Sequence, residues 1–184
     1  MVEKIKISML QYIKIYMKEG NFMNKQEVYE FIKNKNIWNE ITEHGAVFTM
    51  EELSKVELPY PEYDAKNIFV RDEKKQKFYL ITVKADKRVD LKEFRRTYGT
   101  KNLSFAKEED LMNILGLIPG SVSPLGLLND KELKVTFYLD NEFLNDKAII
   151  GVHPNDNTAT VWLKVVDLLN IIEEHGNSVN VVEI

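Results

Sequence analysis

Apolar residues recur along this chain in two rhythms, one helical and one alternating, and the breaks between them mark out its elements. Behind Asn24, a good helix cap, Val28, Phe31 and Ile32 recur at helical spacing and predict a short amphipathic helix ending near Asn36. Trp38 to Thr42 reads as a strand, and Thr49 followed by Glu51 and Glu52 caps a second helix running to about Val56. Leu58-Pro59-Tyr60-Pro61 demands extended backbone. Residues 67–71 and 78–84 are apolar and flank the charged run Arg71-Asp72-Glu73-Lys74-Lys75-Gln76-Lys77, the pattern of an antiparallel hairpin with a solvated turn.

From Asp90 onward, Leu91, Phe94 and Tyr98 draw an apolar stripe on a helix whose outer side carries Lys92, Arg95 and Arg96. A strand at Leu103 to Phe105 follows, then a helix over 107–115 stopped by Gly116 and Pro119. Strands at 134–139, 147–152 and 158–163, a helix over 164–175 ended by Gly176, and a strand at 179–182 complete the chain. Hairpins with interspersed helices, and no regular βαβ alternation, predict an α+β fold: one compact domain with a mixed, largely antiparallel sheet surrounded by helices. That domain is expected over residues 23–184. Residues 1–22 fit both an alternating strand and a helix, and form an extension explained equally by an upstream start codon or by a docking segment.

Composition narrows the chemistry. The 184 residues are 44% hydrophobic and 29% charged, as in a single soluble domain with a sizeable core. Without cysteine there is no disulfide, thiolate nucleophile or cysteine-bound metal. No apolar run approaches the roughly 18 residues of a membrane-spanning helix, so a cytoplasmic protein with no membrane partner is expected. The net charge of −4 argues against a broad phosphate-gripping surface and against DNA as a partner. Residues 84–101 are a local exception: Lys84, Lys87, Arg88, Lys92, Arg95, Arg96 and Lys101 face only Asp86, Asp90 and Glu93, a net +4. Any RNA contact is therefore expected there, on Lys92, Arg95 and Arg96.

Three polar islands interrupt the apolar runs: Lys66-Asn67, the loop Gly120-Ser121-Val122-Ser123-Pro124, and His153-Pro154-Asn155. Each alone has an ordinary reading, as a surface lysine at a strand start, a plain loop after a helix, and a turn histidine. No Ser-His-Asp order or Gly-x-Ser-x-Gly elbow accompanies them, and Ser121 and Ser123 have no evident partner base, which leaves them as polar lining. Three scattered histidines without metal-ligand spacing make a metal or other cofactor unexpected.

In their order and surroundings, Asp64-Ala65-Lys66-Asn67-Ile68-Phe69-Val70-Arg71-Asp72, Pro119-Gly120-Ser121-Val122-Ser123-Pro124-Leu125-Gly126 and Val152-His153-Pro154-Asn155 resemble the YbaK/prolyl-tRNA editing family. The resemblance runs from about Met23 to the C-terminus and implies a compact mixed sheet surrounded by helices, with hydrolysis of mischarged aminoacyl-tRNA as the activity. It implies Lys66 as the essential lysine, Asn67 as a substrate-orienting group, and Gly120 to Pro124 as the Gly-x-x-x-Pro loop whose backbone meets the ester. His153 would line the amino-acid pocket, with His44 nearby in Glu43-His44-Gly45-Ala46-Val47-Phe48-Thr49; Gly45-Ala46 departs from the proline common in prolyl-editing relatives.

Such an ester is already activated, so the task is to position water and stabilise developing charge, without a strong nucleophile. The expected substrate is Ala-tRNA(Pro), with prolyl-tRNA synthetase a further expected partner. The alternative is a non-catalytic module that binds an aminoacyl or tRNA end and regulates translation or amino-acid metabolism.

Overall fold

The computed structural model describes residues 22–53, 55–145 and 147–184, so the expected N-terminal extension lies, but for Phe22, outside the described residues. Within them the order is α1 (Lys25–Asn34), β1 (Asn39–Glu43), α2 (Met50–Leu53), β2 (Ala65–Asp72), β3 (Phe78–Lys84), α3 (Leu91–Tyr98), β4 (Leu103–Phe105), α4 (Glu108–Leu115), β5 (Val135–Asp140), β6 (Ile149–Val152), β7 (Ala159–Lys164), α5 (Val165–His175) and β8 (Val179–Val182). No helix among the described residues is long and apolar enough to cross a membrane.

The strands form two sheets, β1-β7-β6 and β4-β2-β3-β5-β8. Four of the six strand pairings are antiparallel, and the two parallel ones, β3 with β5 and β5 with β8, lie side by side in the larger sheet. The expected α+β domain is therefore found, with its sheet in two parts. The main core fills the space between the sheets: Phe69, Leu80, Phe137 and Leu139 from the larger sheet meet Ile150, Val152, Val161 and Leu163 from the smaller one. Helices α1, α4 and α5 close it with Val28 and Ile32, Leu111 and Leu115, Leu168 and Ile172. On the opposite face of the larger sheet, Phe94 of α3 packs among Val70, Tyr79, Ile81, Val83 and Tyr138, edge-on to the Tyr138 ring.

Local signals fix several ends. Asn24 accepts from the amides of Gln26 and Glu27 while Glu27 reaches back to the Asn24 amide, a full capping box. Asp90 caps α3 through the amides of Lys92 and Glu93, and Gly99 ends it in the left-handed conformation. Three expectations change: the second helix, expected to run to about Val56, covers Met50–Leu53. Pro61 opens a 3-10 turn over Pro61–Tyr63, because proline's fixed φ suits a first helical position. The hairpin also runs further than its apolar residues: Arg71 and Asp72 belong to β2 and are buried, Arg71 paired with Asp110 and Asp72 accepting from the amides of Gln76 and Lys77 at 2.8 and 3.3 Å. Only residues 73–77 form the exposed turn.

Among the described residues, one isolated parallel bridge, between Asp64 and Gly151, joins the residue before β2 of the larger sheet to β6 of the smaller one. Gly151 lies flat against the indole of buried Trp162, so that a Cβ there would stand 2.4 Å from Trp162 Cζ3. Gly151→Ala must push the indole or split the bridge, and is expected to cost about 1–3 kcal/mol, the usual penalty of overpacking. Urea unfolding monitored by tryptophan fluorescence checks this: an unshifted midpoint would mean that the junction tolerates a side chain.

Candidate active site

Strand β2 leaves the bridge at Asp64 and β6 leaves it at Gly151, running parallel, so Lys66 and His153 each stand two residues beyond the same point. There Val47, Phe48, Thr49, Ala65, Lys66, Asn67, Gly120, Val122 and His153 line one cleft of about 220 Å³. The three polar islands of the sequence thus share one cavity. Its volume lies below the roughly 300–1,000 Å³ of pockets for drug-sized ligands, and suits a small acyl group. Its lining carries one cationic side chain, Lys66, and no carboxylate.

Lys66 faces Val83 and Asn67 faces Thr82 across the hairpin. The Thr82 hydroxyl donates to Asn67 Oδ1 at 2.6 Å, which fixes the amide and leaves its Nδ2 donors without a hydrogen bond among the described residues. Lys66 Nζ donates to the carbonyls of Ala85, at 3.2 Å, and Lys87, in the turn that leads to α3. Burial lowers its pKa, with Asp86 acting to raise it and Arg88 to lower it. Lys87 is itself anchored by Asp140 at 2.6 Å and Glu142 at 2.7 Å, so the turn beneath Lys66 is pinned to the end of β5. One residue before the cleft, Asp64 is buried and its carboxyl is pushed up to about 7 by desolvation, against one backbone hydrogen bond from Ala65.

Gly120 adopts φ +90°, and a Cβ there would lie 3.1 Å from Phe48 Cδ1 and 3.2 Å from Phe48 Cα. It therefore allows both the left-handed turn and flush contact with the opposite wall. The next residues correct an expectation. Ser121 and Ser123 are buried rather than lining the cleft. Ser121 Oγ donates to the Ile118 carbonyl at 2.9 Å, whereas Ser123 Oγ donates to the His153 carbonyl at 2.5 Å and accepts from the Leu125 amide at 3.2 Å. Pro124, also buried, opens the 3-10 turn Pro124–Asn129. These three shape the loop from behind, while Gly120 and Val122 face the cavity. The amides of Gly120 and Val122 make no hydrogen bond among the described residues.

His153 is positioned by β6 and by its own ring: Nδ1 lies 2.8 Å from the Ala159 carbonyl. A carbonyl only accepts, so Nδ1 carries the proton and Nε2 keeps its lone pair. Burial lowers the imidazole pKa, the Ala159 hydrogen bond raises it, His44 lowers it and Asp156 raises it. His44 does not line the cleft; it stands behind His153, ring centroids 6.0 Å apart, with Nδ1 on the Gly45 carbonyl and Nε2 on Thr160 Oγ1.

Four lining residues were not singled out from the sequence: Ala65, inside the Lys66 segment, and the wall Val47-Phe48-Thr49, in the segment that the resemblance sets near the pocket. The wall is held by long-range bonds, from the Val47 amide to the Asn157 carbonyl at 3.1 Å and from Asn157 Nδ2 to the Val47 carbonyl at 2.8 Å. The signal for it was the segment following His44, of which only the histidine was singled out. Lys92, Arg95 and Arg96 are exposed on α3, outside the cleft, with Arg96 paired to Glu93 at 3.0 Å and Arg95 bonded to Asn102. The Ala85–Asp90 segment, which accepts the Lys66 ammonium, joins that helix to the cleft.

Comparison with known proteins gives the family. The prolyl-tRNA editing protein ProX of Acetoanaerobium sticklandii is 37% identical over 160 residues, covering 87% of this chain and 97% of its own. The prolyl-tRNA synthetase associated domain-containing protein 1 of Danio rerio is 36% identical over 151 residues, 82% of each chain. A solved candidate trans-editing enzyme for prolyl tRNA synthetase shares the fold, with TM-score 0.59 at 23% identity over 79% of this chain and 87% of that one. The model of the aminoacyl-tRNA editing domain matches residues 44–171, which contain every residue lining the cleft, and the chain belongs to that family.

Proposed function

We propose that the chain is a trans-editing hydrolase that removes the amino acid from mischarged tRNA, with Ala-tRNA(Pro) as its substrate and water as the nucleophile. The observation that carries this reading is the convergence of Lys66, Asn67, Gly120 and His153 on one small cleft. In it, Lys66 and the unused amides of Gly120 and Val122 stabilise the negative charge that develops on the ester oxygen. The Nδ2 donors of Asn67 orient the terminal ribose. The free Nε2 of His153 accepts a hydrogen bond from the α-amino group or from the attacking water, and its ring closes the acyl end. A hydrophobic pocket distinguishes acyl groups by only about 1–3 kcal/mol per methylene, so rejection of the larger prolyl group rests on size exclusion. The exposed cations Lys92, Arg95 and Arg96 take phosphates of the acceptor arm, and prolyl-tRNA synthetase is the partner whose errors the protein corrects.

Purified protein is expected to deacylate Ala-tRNA(Pro) catalytically, and Lys66→Ala to lower kcat by about 100-fold, the loss typical of one oxyanion donor. His153→Ala is expected to widen acceptance towards prolyl esters. Turnover absent from Ala-, Cys- and Ser-charged tRNA, with tight binding retained, would replace this reading by the non-catalytic binding module.

Changing both Arg95 and Arg96 to Gln is expected to reduce the slope of log Kd against log salt by about 1 per lost phosphate contact, and an unchanged slope would remove α3 from the interface.

The His153 imidazole is expected to titrate below 6.5, as its Nδ1-protonated tautomer, in nitrogen-15 NMR. The sign follows from burial: its contribution to stability is present above the unfolded pKa of about 6.5 and is lost as pH falls through the lower folded value. A titration at or above 6.5 would contradict the buried, neutral ring.

A further inference from the structure

Phe48 is 61% exposed, yet its ring belongs to the cleft lining. The other large apolar side chains left in solvent, among them Trp38, Phe105, Leu133 and Leu144, stand away from it. Its backbone is fixed before any ligand arrives. The Phe48 amide donates to Glu52 Oε2 at 2.6 Å, and the Glu52 amide donates to Thr49 Oγ1 at 3.2 Å. Next to it Val47 is clamped from both sides by buried Asn157, and Gly120 packs flush against Phe48 from across the cleft. The result is an exposed aromatic ring, on a hydrogen-bonded backbone, at the rim of a cavity whose lining also carries the Lys66 ammonium and the Asn67 amide.

The cleft of about 220 Å³ is small for a whole aminoacyl-adenosine, so a substrate that places its acyl group inside extends beyond the lining residues. A substrate whose ester lies between Lys66 and His153 carries its terminal base one sugar further out, at the rim. Single-stranded RNA ends are gripped by stacking on aromatic rings, which tolerates any base and supplies affinity without sequence readout. An exposed ring removes its apolar face from water when a base covers it, and a phenylalanine side chain has only two torsions to order.

We propose that the Phe48 ring is a stacking platform for the adenine at the 3′ end of the charged tRNA, a base subsite adjoining the acyl subsite. This rests on the deacylase reading above. The test compares Phe48→Ala and Phe48→Trp on Ala-tRNA(Pro) and on alanine ethyl ester, which has the acyl group and no base. Phe48→Ala is expected to raise KM for Ala-tRNA(Pro) about 10-fold, within the range of one lost base–aromatic stack, and Phe48→Trp to restore it. The loss on alanine ethyl ester is expected to be several-fold smaller. Equal losses on the two substrates, or a Phe48→Ala enzyme with unchanged KM for the tRNA, overturn the platform. If the wild-type protein turns over no charged tRNA, the deacylase reading fails by itself, and titration with adenosine 5′-monophosphate decides the platform separately. Binding weakened by Phe48→Ala and kept by Phe48→Trp supports it; binding indifferent to both, or no binding, overturns it.

Discussion

The site depends on how closely two backbones approach at the Asp64–Gly151 bridge. Neither sheet contains the cleft: the larger contributes Ala65, Lys66 and Asn67 from the start of β2, and the smaller delivers His153 from the end of β6. Since the strands run parallel from the bridge, the ammonium and the imidazole emerge at one end of the junction. Gly151 makes this possible because the Trp162 indole occupies the space a side chain would need. The core on either side, with Phe69 and Leu80 facing Ile150 and Val161, holds the junction by burial, at roughly 25 cal/mol per Å² of apolar surface removed from water.

Hydrogen bonds buried behind the cleft complete it. Ser123 joins the Gly120 loop to the His153 carbonyl across 30 residues of sequence, and Asn157 joins the β6–β7 turn to the Phe48 wall. Polar groups of the residues lining the cavity are left with unused capacity among the described residues: His153 Nε2, the amides of Gly120 and Val122, and Asn67 Nδ2. The pattern is one of preorganisation. Ser123 and Asn157 tie the backbone behind the cleft, so the free donors and acceptor of the lining residues need little rearrangement to meet an ester.

Much of the fold could be read locally. Asn24 caps α1 and Asp90 opens α3, Gly116 and Gly176 end α4 and α5, and the apolar runs of β2 and β3 pair as a hairpin. What escaped was decided at long range. Arg71 and Asp72 look like turn residues until Asp110 and two amides are brought to them by the fold. Ser121 and Ser123 look like pocket lining because sequence does not tell which face of a loop is buried. The division of one expected sheet into two is set by which strands pair, β1-β7-β6 apart from β4-β2-β3-β5-β8, and strand partners distant in sequence are not legible in it. The three polar islands were legible by their order, but the wall of Val47, Phe48 and Thr49 was not, since its position comes from Asn157.

Lys66-Asn67, the Gly120 loop and His153 act as one aminoacyl site only if a single ligand touches all of them. A two-dimensional NMR titration with an amide-linked alanyl-adenosine, which cannot be hydrolysed, tests that most directly. The predicted result is simultaneous, saturable shifts of the Lys66, Asn67, Gly120, Val122 and His153 signals, with Ser121 and Ser123 following weakly from behind the loop. Saturable shifts confined to another surface, with those five signals unmoved, would contradict it.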